Sequence, residues 1–196
     1  MNSDIILKLY SRPETVFTID EICQLFPHIP YQSVQDRLYY FTKVGKLKRL
    51  HQGIYAKEGY SLFELANKLY KPSYISLETV LGQENVIFQY YETIFLAAYL
   101  TRKVTFNNTS IQYRQIKEDV LTNTQGVQQK NGYYIATLER AFLDAVYIYK
   151  NYHFDNLGAL DWQKVEDLKK IYKNRAFEKR LESYYKDYKE EYDTKS

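Results

Sequence analysis

Gln32, Gln35 and Asp36 are the residues in this sequence whose types and spacing best suit recognition chemistry. A glutamine amide carries a donor and an acceptor side by side and can pair bidentately with adenine, while an aspartate can accept from cytosine N4. Around them stand Tyr31, Ser33, Tyr39, Tyr40 and Lys43, whose hydroxyls and ammonium group can reach phosphate oxygens. Phosphates repel Asp36, so it either reads a base or orients Arg37. A few residues on come Lys46, Lys48, Arg49, His51 and Gln52, interleaved with Leu47 and Leu50. Such a basic set supplies sequence-independent, salt-dependent affinity for a nucleic-acid backbone. Strict strand alternation lets only part of it face one partner.

A helix followed by a hairpin is needed to hold these groups. Pro30 fits a first helical turn, where its missing N–H costs nothing, and Gly45 is a natural C-terminal stop. Val34, Leu38 and Phe41 fall at i, i+4 and i+7, a buried stripe that leaves Gln32, Gln35, Asp36, Tyr39 and Lys43 on the other side. Gln52-Gly53 reads as a turn and Ile54-Tyr55-Ala56 as the returning strand. Upstream, Ser3 or Asp4 can cap a helix over residues 3–11 whose apolar side is Ile5, Ile6 and Leu9. Val16-Phe17 is extended. Thr18 and Glu21 have capping-box spacing for a helix that buries Ile19, Ile22, Leu25 and Phe26. Helix, strand, helix, turn, helix and β-ribbon in that order outline a winged helix-turn-helix, here over residues 1–60.

Residues 61–196 form a second domain, with the hinge near Lys57–Tyr60. Its first helix spans Ser61 to Leu69 and ends at Lys71-Pro72-Ser73, and a short helix through Leu81 is ended by Gly82. Thr93–Thr101, Val104–Phe106 and Ile111–Ile116 read as strands, and Val120–Gln129 with Tyr133–Ala136 as a hairpin turned at Asn131-Gly132. Thr137 caps a helix through about Tyr149, Asp161 caps another, and a last helix starts at Arg175 before a polar tail. The expected fold class is α+β: the winged helix-turn-helix, then a mixed domain with a small, mainly antiparallel sheet and packed helices.

The chain has 196 residues and a net charge of only +3. That charge is concentrated: between His28 and Lys57, Arg37, Lys43, Lys46, Lys48, Arg49 and Lys57 face the single carboxylate of Asp36. A local basic patch on a near-neutral chain suits a DNA-contacting surface. The one cysteine, Cys23, excludes an internal disulfide and fits a reducing cytoplasm. Its apolar neighbours make it a small core residue. The first residues do not read as a signal peptide, and no apolar run approaches membrane-spanning length, so no membrane partner is expected.

The succession of motifs resembles one family. After the winged helix-turn-helix come Lys71-Pro72-Ser73-Tyr74-Ile75-Ser76-Leu77-Glu78, then Thr101-Arg102-Lys103, then Gly132 through Asp144, GYYIATLERAFLD. This is similar to the AbiEi-type antitoxins of type IV toxin–antitoxin systems, from about Thr15 to Tyr188. The chain departs from the family at Leu138, often Pro there, and at Gln52-Gly53, often Arg-Gly. The resemblance implies an N-terminal autorepressor domain on double-stranded operator DNA, and helix-turn-helix proteins commonly read inverted repeats there as pairs. It also implies a C-terminal domain that neutralises a cognate nucleotidyltransferase-like toxin. The candidates it marks in that domain are Ser76, Glu78, Arg102, Lys103, Glu139, Arg140 and Asp144. Arg140 and Asp144, at i and i+4, can also pair simply as ions.

No nucleotide-binding glycine motif, zincin motif or nucleophile elbow is present, and the three histidines are isolated. No catalytic residue, metal or cofactor is expected. Two other functions remain open on the sequence: a transcription regulator whose C-terminal domain binds a ligand or dimerises without any toxin, and an enzyme with an unrecognised site in the second domain.

Overall fold

The computed structural model describes residues 3–192, a mixed α+β structure with two sheets. Those residues divide into two compact units: residues up to 70 together with 130–133, and residues 71–129 together with those from 134 on.

The first unit contains α1 (Ser3–Tyr10), β1 (Val16–Thr18), α2 (Ile19–Leu25), α3 (Tyr31–Lys43), β2 (Lys48–His51), β3 (Ile54–Ala56) and α4 (Leu62–Leu69). The expected caps Ser3 and Asp4 lie outside the described side chains; of the tail expected from Glu190 onward, residues up to Tyr192 belong to the last helix and 193–196 lie outside the described residues. The capping box at the start of α2 is complete: Thr18 Oγ1 accepts from Glu21 N and the Glu21 carboxylate accepts from Thr18 N. Val34, Leu38 and Phe41 turn inward from α3 and join Ile5, Leu9, Phe17, Ile22 and Tyr55 in one core. Helix α3 gives way to the ribbon at Gly45, whose φ of +73° only glycine adopts without strain. The three strands pair antiparallel in the order β1-β3-β2.

Helix α4 groups with this unit, ten residues beyond the expected boundary at 60. The reason is Glu64, a buried carboxylate that accepts from Thr15 N at 2.8 Å, Thr15 Oγ1 at 2.8 Å and Val16 N at 3.0 Å. Lys68 adds a bond to Val16 O at 2.6 Å and an ion pair with Glu21 at 2.7 Å. The helix is thereby fastened to the edge of β1.

The second sheet has six strands, β4 (Ser73–Ile75), β5 (Ile94–Ala98), β6 (Arg102–Phe106), β7 (Thr109–Gln115), β8 (Val127–Lys130) and β9 (Tyr133–Ala136), in the order β6-β7-β5-β4-β9-β8, and all of it but Lys130 and Tyr133 belongs to the second unit. The helices are α5 (Glu78–Gln83), α6 (Glu118–Leu121), α7 (Leu138–Ile148), α8 (Trp162–Leu168) and α9 (Arg175–Tyr192). Antiparallel pairs β4–β5 and β6–β7 match the expected pattern, while two parallel pairings, β5–β7 and β4–β9, are added to it. Strand β7 follows the β6 hairpin back to lie parallel to β5, and β9 returns parallel to β4 after a long connection. Val120 and Leu121, read from sequence as the start of a strand, lie instead in the helical turn Glu118–Leu121, with Glu118 and Asp119 in its favourable first positions. Gly82 lies inside α5 rather than ending it, and the left-handed residue past that helix is Asn85, φ +56°. Thr137 and Asp161 cap α7 and α8 as their spacing predicts. No helix among the described residues is long and apolar enough to cross a membrane.

Candidate functional site

In the first unit, burying one stripe of α3 forces its remaining residues outward. Tyr31, Gln32, Asp36, Tyr39, Tyr40 and Lys43 are exposed, and Ser33, Gln35 and Arg37 are half-buried at the margins. Gln32, Asp36, Tyr39 and Lys43 follow one another at i, i+4, i+7 and i+11, a single outward line along the helix. Asp36 does not partner its neighbour Arg37, since adjacent residues on a helix diverge. It accepts instead from Gln32 Nε2 at 3.0 Å.

The ribbon departs from simple alternation. The register of β2 against β3 shifts between Arg49 and His51, an irregularity that falls at Leu50. Lys48, Arg49 and His51 are all exposed on this edge strand, although Lys48 and Arg49, paired in regular register ahead of the shift, point to opposite faces. Lys46 and Gln52 are exposed as well. Lys48 is engaged by Glu58 at 2.7 Å, an exposed pair that raises the lysine pKa through the hydrogen bond. Lys43, Lys46 and Arg49 make no ion pair among the described residues. The result is an exposed set of amides, phenols and cations with two carboxylates, Asp36 bonded to a neighbouring amide and Glu58 paired with Lys48.

In the second unit the structure brings three of the candidates together and separates the rest. Arg140, Asp144 and Ser76 meet in the interior, all wholly excluded from solvent. Arg140 Nε donates to Asp144 Oδ1 at 3.2 Å. Its two terminal nitrogens donate to the carbonyls of Asn123, Gln125 and Val120 and to the Tyr74 hydroxyl, at 2.7–3.1 Å. Asp144 accepts further from Tyr172 Oη at 2.7 Å and from Ser76 Oγ at 2.8 Å. Burial opposes the charge on Arg140, but Asp144 and the two tyrosines outweigh it and raise its pKa. Burial, reinforced by Asp144, pushes the Tyr74 and Tyr172 phenols well above their usual value, so both remain neutral donors. All five guanidinium donors are taken. The network holds β4, the segment around α6, α7 and the stretch before α9 in place.

Glu78 enters a different network. The chain reverses at Leu77, φ +56°, and Ser76 and Glu78 on either side of it part company. Glu78 Oε2 accepts from Tyr149 Oη at 3.1 Å, and the Arg114 guanidinium lies 5.7 Å from the centre of the Tyr149 ring. Burial raises the Glu78 carboxyl and, with Glu78 beside it, the Tyr149 phenol. Glu139 is buried in the first turn of α7. Arg102 and Lys103 are exposed on β6, at the edge of the sheet.

Sequence reasoning missed Tyr74, Tyr172 and the three carbonyls that complete the Arg140 network. One signal was present. Arg140 and Asp144 sit among Ala141, Phe142, Leu143, Ala145 and Val146 in a helix apolar on every side, which requires the charges to be buried and paired. Among the described residues no group of His, Cys, Asp and Glu is arranged to hold a metal ion. Burial pushes the half-buried Cys23 thiol up, away from reactivity.

No protein-family model matches this sequence, and no curated protein matches it.

Proposed function

We propose that this chain is a DNA-binding antitoxin of the AbiEi type, acting in the cytoplasm and without catalysis of its own. On this reading the first unit is a winged helix-turn-helix. Helix α3 enters the major groove of operator DNA, and the ribbon of β2 and β3 lies along the adjacent backbone. One observation carries it: the outward line Gln32, Asp36, Tyr39, Lys43 on α3 leads within a few residues to the exposed Lys46, Lys48, Arg49 and His51. Groups that read base edges thus stand beside groups that neutralise phosphate.

The second unit neutralises a nucleotidyltransferase-like toxin. Support here comes from the motif resemblance, Pro72–Glu78 with Ala136–Asp144. Ser76, Glu78, Glu139, Arg140 and Asp144 are buried, and the exposed candidates are Arg102 and Lys103. The test is co-expression of the full chain with the product of the neighbouring reading frame, scored for growth. Arrest by the neighbour alone and rescue by this chain are expected; a harmless neighbour, or arrest that persists, contradicts the proposal.

A further inference from the structure

Asp36 is out of place on a surface meant for phosphates unless it does something there. Its contact with Gln32 supplies the reason. The two residues are both exposed, one helical turn apart, and joined by a hydrogen bond of 3.0 Å from Gln32 Nε2 to Asp36 Oδ1. An ionised carboxylate only accepts, so the amide must present its nitrogen to it, and this fixes which way the amide plane is turned. One amide N–H is then committed. The other N–H and Oε1 remain as an adjacent donor and acceptor, held on the outer face of the second residue of α3. Adenine offers the complement in the major groove, the N7 acceptor beside the N6 donor. Guanine offers two acceptors and cannot satisfy that edge.

We infer that Asp36 is a positioning residue that locks Gln32 into the orientation that reads adenine, and that each bound copy of the chain selects an A·T pair at one fixed position. This deepens the DNA-binding proposal and rests on it. The same pairing explains the single acid of the basic segment: its charge is aimed at an amide rather than at the backbone.

The experiment is selection from a randomised duplex pool by the full-length chain at fixed salt, for wild type, Gln32→Ala, Asp36→Ala and Asp36→Asn. Wild type should favour adenine by about fivefold or more at one position of the selected site. Q32A and D36A should both lose that preference at the same position while the rest of the site is kept. D36N should retain most of it, because the Asn carbonyl still accepts from the Gln32 amide. If Asp36 only repelled phosphate, D36A would tighten binding to every sequence and leave the adenine preference intact, which overturns the inference and spares the DNA-binding proposal. If wild type selects no sequence at all, the DNA-binding proposal itself falls, and the inference with it.

Discussion

Arg140 and Asp144 lie four residues apart on α7 and form an ion pair from which solvent is wholly excluded, with Nε 3.2 Å from Oδ1. Such a pair stabilises only when every other hydrogen-bonding group is satisfied, as it is here. Removing one partner strands the other charge in the interior.

Asp144→Ala should therefore destabilise the second unit by about 3–5 kcal/mol, the range for breaking a buried ion pair. Urea denaturation followed by circular dichroism measures this. A loss below about 1 kcal/mol would mean that the interior is wetter than its hydrogen bonds imply.

Glu78 responds to pH in a defined direction. Burial raises its folded-state pKa above the ordinary 4.5. The native state thus binds this proton more tightly than the unfolded chain, and its contribution to stability is complete below about pH 4.5 and lost as pH rises through the folded-state value. Glu78→Gln keeps an acceptor for Tyr149 Oη without the charge. E78Q should have a higher urea midpoint than wild type at neutral pH and an equal one at about pH 4. A lower midpoint at neutral pH would show that the charge is supported there.

Helix α4 belongs with the residues that precede it. A fragment ending at Lys57–Tyr60 loses Glu64 and so leaves the amides of Thr15 and Val16 without their acceptor. A fragment of residues 1–70 should melt at a higher temperature than one of residues 1–60, and Glu64→Ala within the longer one should remove much of the difference. Equal melting temperatures would show that α4 contributes nothing to this unit.

These contacts mark what was legible in the sequence. Local devices were: the Thr18/Glu21 box, the turns at Gly45 and Gly53, the buried stripe of α3, and the caps at Thr137 and Asp161 all depend on residues within a turn or two of each other. Long-range partners were not. Glu64 reaches back 49 residues to Thr15, Arg140 reaches 66 residues to Tyr74, and no periodicity encodes either. The mixed sheet was hidden for the same reason, because hairpins announce themselves at their turns and parallel pairings do not. On the α3 surface the outward residues followed from helical periodicity, but the Gln32–Asp36 bond and the irregularity at Leu50 did not.

Arg49 and Lys48 should differ on DNA. Arg49 makes no ion pair among the described residues, whereas Lys48 is held by Glu58. Arg49→Ala should reduce the slope of log affinity against log salt by about 1, with equal loss on all sequences, and Lys48→Ala should reduce it less. The order is read from anisotropy titrations at several KCl concentrations, and a larger effect of K48A would place the DNA backbone nearer to Lys48.

The most direct measurement is an anisotropy titration of the full-length chain against a labelled duplex from upstream of its own reading frame. A shuffled duplex of the same composition serves as the comparison, at about 150 mM KCl. A repressor is expected to prefer its own upstream sequence by about 10³-fold or more. Equal affinity for the two duplexes would contradict the operator-binding role proposed for the first unit.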